Sequence, residues 1–180
     1  MDTRLFTADS IWTMVHGIVL GGGALLGIAA ALFALVTVGV ADSADASARK
    51  QARYLGWLTA LVAIALWLTV IVGTYVNFPP YRATPPEGLT DLAQYPRTLI
   101  MSSPGTAWLH QFAMEIKEHV PWIAAMLATG AAFVAARHGG RLSRDAAVRR
   151  LTTTLLTICF VLVSFVSLLG VFINKVAPLD

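Results

Sequence analysis

The chain has 180 residues, of which 57% are hydrophobic and only 13% charged, with a mean hydropathy of +0.69. Soluble domains carry about a quarter charged residues, so this composition excludes an ordinary soluble domain. The net charge of +3 is small, and the basic residues flank apolar stretches, so it reads as a membrane topology signal rather than a nucleic-acid footprint.

Residues Met1 to Ser10 are short and polar, with one Arg and two Asp. They lack the basic start of a signal peptide, and the apolar stretch behind them is too long for one. The expectation is a retained segment leading into a first span over residues 11–41. Trp12 suits an interfacial anchor. Gly17, Gly21, Gly22, Gly23 and Gly27 crowd the first half of this span. In a membrane such glycines let another backbone or a flat ligand come close. A basic stretch with Arg49, Lys50 and Arg53 follows.

A second span is expected over 54–77, ended by Phe78-Pro79-Pro80 because proline disfavours helix at the residue before it. The connection from Pro79 to Thr106 is the longest and holds six prolines. Loops of this length are usually functional or packed on something, and Leu99-Ile100-Met101 is the apolar patch that would do the packing. A third span is expected over 107–137, with Thr106 as its N-cap. Pro121 lies inside it and removes the bond to the Lys117 carbonyl. His138 to Arg150 forms a second basic loop, and a fourth span runs over 151–174. The expected fold is all-α: one integral membrane four-helix bundle, residues 1–180, with a long Pro-rich external loop between helices two and three.

Eight of the 13 Lys and Arg sit around the first and third connections. The positive-inside rule then places both termini and the Pro-rich loop outside a cell membrane. The single cysteine, Cys159, cannot pair within the chain and gives no compartment.

The stretch from Trp108 to Trp122 is exceptional, because His110, Glu115, Lys117, Glu118 and His119 enter an apolar helix there. Charged groups near hydrocarbon usually mark a site or a partner. At 100° per residue, His110, Met114, Lys117 and Pro121 share one face. Glu115, His119 and Trp122 share nearly the opposite face. Measured from the inner ends at 1.5 Å per residue, His16 and His110 stand ~40 Å up and His119 ~27 Å up. All three histidines therefore lie in the outer part.

On the first span His16 shares a stripe with Leu20, Gly23 and Gly27. A histidine above glycines suits a porphyrin, with the imidazole as axial ligand and the glycines leaving room for the ring edge. The plain alternative is a hydrogen-bonded histidine at a helix contact. Glu115 and His119, at i and i+4, can hydrogen-bond, and a carboxylate there would orient the imidazole. No Glu-x-x-His pair, Cys pair or Cys-x-x-Cys-His sequence is present for other metal chemistry. No Ser-His-Asp arrangement or phosphate loop is visible either, so a catalytic centre is not indicated.

In outline these four spans resemble the four-helix membrane cytochromes b and haem-bearing membrane anchors, a likeness of architecture without a diagnostic motif. Two functional expectations follow. The first is a small redox subunit with one haem b near the outer face. Its axial ligands would be His16 and His119, with His110 the alternative second ligand. It would pass electrons between a membrane quinone or partner and an external carrier. The second is a cofactor-free accessory subunit of a larger respiratory or photosynthetic membrane complex. A proton path through Glu115 and His119 is disfavoured by the apolar inner halves of the spans.

Overall fold

The computed structural model describes residues 7–38 and 46–178. The described residues form helices and turns, with no strand among them. Four helices are long and apolar enough to cross a membrane: α1 (Ala8–Thr37), α2 (Arg49–Tyr81), α4 (Leu109–Arg141) and α5 (Ala146–Val176). A short helix, α3 (Pro96–Met101), lies in the connection between α2 and α4. The long helices have 30, 33, 33 and 31 residues. That is ~45–50 Å each, beyond the ~30 Å of a hydrocarbon core, so their ends extend past it.

Packing closes a ring. The helix α2 packs on α4, α4 on α5, and α1 on both α2 and α5. The seam in α1 is Ala24, Ile28, Ala31 and Leu35, all buried, at the 3–4 spacing of a single helix face. The matching face of α4 is Ala124, Ala128, Ala131 and Ala135, with Ala125 beside it. Small residues let membrane helices approach closely. The outward faces are large and apolar: Leu26 is 75% exposed, Phe33 72% and Trp57 69%. Contiguous exposure of this kind marks a surface meant for another apolar phase. A bilayer supplies one, and the chain is a multi-pass membrane protein on this ground.

One end carries the N-terminal turn, the Pro-rich connection and the C-terminal residues; we name it the proline end. The opposite end carries Arg137, Arg141, Arg149 and Arg150; it is the arginine end. At the arginine end α5 begins at Ala146, several residues before the apolar run at Leu151. Asp145 explains the earlier start, since its carboxylate accepts from the Ala147 and Val148 amides at 2.9 and 3.3 Å. Likewise the helical backbone leading into α2 starts at Ala46, so Arg49, Lys50 and Arg53 ride on a helix rather than in a loop. The segment 39–45 of the expected first basic connection lies outside the described residues.

At the proline end a second buried cluster joins Tyr81, Ile100, Leu109, Met114, Leu169 and Ile173. Ile100 is fully buried, so the Leu99-Ile100-Met101 patch packs on the ends of α2, α4 and α5. Two sequence expectations fail here. Helix α2 does not stop at Asn77 but continues through Phe78–Tyr81. A π-helical turn at Gly73–Asn77 resets the hydrogen bonding, so Pro79 and Pro80 fall in a first turn, where a missing N–H costs little. Thr106 does not cap α4. Its hydroxyl donates instead to the Ile100 carbonyl at 2.7 Å and so pins α3.

Candidate functional site

Three π-helical segments occur among the described residues: Val15–Gly22 in α1, Gly73–Asn77 in α2 and Leu109–Met114 in α4. All lie at the proline end. A π-turn bonds i to i+5 in place of i+4, and such turns recur at functional sites. Three of the four long helices are thus distorted towards this end.

His16 sits in the first of these segments. Its imidazole lies over Gly73, the first residue of the second. A Cβ on Gly73 would stand 2.7 Å from His16 Cε1 and 3.3 Å from Nδ1. Only glycine permits the ring to lie there. His16 Nδ1 is buried without a partner. Asn77, at the other end of the same π-turn, also has a buried oxygen, Oδ1, without a partner. Leaving a buried polar atom unpaired costs about 1–3 kcal/mol, so each of these atoms needs a partner from outside the chain, such as a water.

Lys117 enters the same region from α4. Its Cε is 3.7 Å from where a Cβ on Gly170 of α5 would be. Among the described residues no hydrogen bond or ion pair engages it.

The other two candidate histidines are placed differently. His110 is held on both sides: Arg97 Nε donates to its Nε2 at 3.2 Å, and Nδ1 lies 2.9 Å from the Tyr81 hydroxyl. With Nε2 accepting, Nδ1 carries the proton and donates to the Tyr81 oxygen. This histidine therefore ties α3 and the end of α2 to α4. His119 is exposed, and its Nδ1 donates to the Glu115 backbone carbonyl at 2.7 Å. The expected carboxylate pairing is replaced by a backbone one. The two stripes of α4 separate as the spacing predicts: Met114 is buried and Lys117 half-buried, whereas Glu115, His119 and Trp122 are exposed.

The expected stripe of His16, Leu20, Gly23 and Gly27 is altered by the π-helix. The backbone carbonyl of His16 faces Gly21, five residues on, where a Cβ would be 3.3 Å from it. Gly23 is exposed with nothing within 4 Å of a Cβ placed on it, and at Gly27 a Cβ would meet Val62 at 2.6 Å. Gly27 thus serves close packing of α1 on α2, and Gly23 opens a groove.

No protein-family model, curated protein or solved structure matches the chain. Function rests on the residues themselves. Within one copy, the described residues do not offer haem iron a pair of axial histidines. His16 points between α1 and α2, His119 points away from the other helices, and His110 has both ring nitrogens engaged. No cluster of three His, Cys, Asp or Glu suited to a metal ion occurs among the described residues. What the arrangement offers is hydrogen bonding: buried polar atoms without partners at His16 and Asn77.

Sequence reasoning places Asn77 among the outer polar groups without giving it a role, and it missed Gly73, Tyr81 and Arg97. A glycine and an asparagine closing an apolar run are a usable signal for the first two. Nothing in the spacing marks Tyr81 or Arg97, because their partner lies across a loop.

Proposed function

We propose that this chain is a four-helix bundle of the cell membrane with both termini and the Pro-rich connection outside. In this reading it is a non-catalytic accessory subunit of a larger membrane complex. One observation carries the proposal. Glu115 and His119 are exposed on the flank of α4, between Phe112 at 60% exposure and Trp122 at 39%. Ionisable groups on a lipid-facing flank near the membrane margin are costly, and a partner subunit removes that cost. Native gel electrophoresis of gently solubilised membranes tests it. The chain should migrate far above its 19.3 kDa, and the double variant Glu115→Ala/His119→Ala should be released. A chain that runs as a single copy in native membranes would overturn the reading.

A redox subunit with a b-type haem near the outer face is the second reading. His16 favours it, since its Nδ1 is buried without a partner. A haem would supply one-electron transfer. The visible spectrum of the purified protein decides: reduced-minus-oxidised bands that disappear in His16→Ala support it, and a folded protein without visible absorption removes it.

A further inference from the structure

His110 accepts a hydrogen bond on one side and donates one on the other, and its neighbours fix which is which. Arg97 Nε, on α3, lies 3.2 Å from His110 Nε2. An arginine side chain donates and never accepts, so Nε2 carries no proton. The ring is therefore neutral. Its one proton sits on Nδ1, 2.9 Å from the Tyr81 hydroxyl of α2.

A second proton can enter only at Nε2. There it would set an N–H against the N–H of Arg97, and a positive charge against a guanidinium. The bond from α3 becomes a repulsion. The bond to Tyr81 survives, because Nδ1 donates in both states and a phenol oxygen accepts. Protonation thus parts α4 from α3 and leaves α4 joined to α2.

The other charged groups that face His110 are Arg82 of α2 and Glu115 of its own helix, and Glu118 faces Tyr81. From α5 the cluster receives Leu169, Ile173 and Ala177, which are apolar. Two guanidiniums and one carboxylate therefore face the ring, and an imidazolium would add a third positive charge. The rest of the hold on α3 does not titrate. Ile100 is fully buried, and the Thr106 hydroxyl donates to its carbonyl at 2.7 Å. Acid would loosen α3 rather than expel it.

We infer that the Arg97–His110 contact is a pH-sensitive latch, which holds α3 and the proline-rich connection against the bundle while His110 is neutral and opens when His110 takes a second proton. An imidazole released to water takes a proton near pH ~6.5, and the closed latch has no place for it. Acid therefore favours the open state, by up to ~10-fold per pH unit below that value. That the latch reads acidity outside the cell rests on the orientation proposed above; the latch itself does not.

The test uses the full chain in phosphatidylcholine nanodiscs, with a nitroxide on Met101→Cys, an exposed position of α3. Cys159 is fully buried, so the label goes to one site. Electron paramagnetic resonance should show the mobile fraction rising severalfold as the pH falls below ~6.5. His110→Gln places an amide oxygen as many bonds from the backbone as Nε2, and it accepts from Arg97 at every pH. Arg97→Gln places an amide where Nε stood, and an amide can turn to donate or accept, so its bond to His110 outlasts protonation. In both variants the mobile fraction should stay constant, and either one carries the test if the other does not fold. A nitroxide on Val161→Cys, exposed on α5, should be indifferent to pH. The inference is overturned if the Met101 label does not respond to acid, or if it responds equally in His110→Gln, which would assign the titration to Glu115 or Glu118. A response of the same size at Val161 also overturns it, since the whole bundle would then be loosening. Nanodiscs open both faces to the buffer, so the result is independent of orientation, which cysteines introduced at Thr90 and Ser143 report separately.

Discussion

His16 of α1 lies over Gly73 of α2, with its ring so close that any Cβ at position 73 would stand 2.7 Å from Cε1. Gly73→Ala should therefore displace the imidazole or part the two helices. Over-packing of this kind costs about 1–3 kcal/mol. Thermal unfolding in detergent should show a clear drop in Tm. Gly23→Ala is the matched control: its Cβ meets nothing within 4 Å, and replacing a helical glycine gains about 0.5–1 kcal/mol. Equal Tm values for the two variants would contradict the placement of the ring.

The Arg97–His110–Tyr81 chain is predicted to hold the proline-rich connection down. Tyr81→Phe removes a hydrogen bond of 2.9 Å, a loss of about 0.5–1.5 kcal/mol. Tyr81 is nearly fully buried in the second cluster, so the ring should keep its place. Amide exchange over Pro96–Met101 should accelerate, while exchange in Ala124–Ala135 should not change. Uniform acceleration would mean that the variant loosens the whole protein instead.

Trp67 and Thr129 tie α2 to α4 through an indole N–H donating to the hydroxyl at 3.0 Å. The same indole meets Trp122 edge-on, with centroids 5.8 Å apart. Trp67→Phe and Thr129→Ala should each lower stability by about 1 kcal/mol. The double variant should lose less than their sum, as residues in contact do. Strict additivity would show that the bond contributes nothing.

Topology is testable with introduced cysteines. Ser143 lies at the arginine end and Thr90, which is exposed, in the proline-rich connection. In intact cells an impermeant thiol reagent should label Thr90→Cys and spare Ser143→Cys. The native thiol will not confuse the result, because Cys159 is fully buried and lies 3.4 Å from the Ala124 carbonyl. The opposite labelling would invert the orientation.

The four long helices were legible from composition and from runs of apolar residues, since hydropathy does not depend on how the helices pack. The two faces of α4 were legible for the same kind of reason: Lys117 and His119 lie on a helix that keeps 3.6 residues per turn from Glu115 onward. Around His16 the same arithmetic failed. The stripe through Leu20, Gly23 and Gly27 assumed bonds from i to i+4, and the backbone there bonds from i to i+5. Periodicity cannot reveal its own interruption. The partners of His110 were hidden for another reason. Tyr81 and Arg97 are 29 and 13 residues away, and only the folding of the connection brings them together.

The π-turns also divide each of these helices into two segments with different angular phase. In α1 the segment Ala24–Leu35 sets the seam at the arginine side, and the turn at Val15–Gly22 swings what precedes it out of step with that seam. One extra residue in a turn corresponds to ~100° of rotation. Deleting a single exposed residue in that turn, Val19 at 63% exposure, should restore α-helical bonding and leave the lower segment untouched. His16 would then turn away from Gly73 by that angle. A one-residue deletion, ordinarily tolerated only in loops, becomes here a means of turning a side chain about a fixed axis. The azimuth of His16 is set by the number of residues below it as much as by their identity.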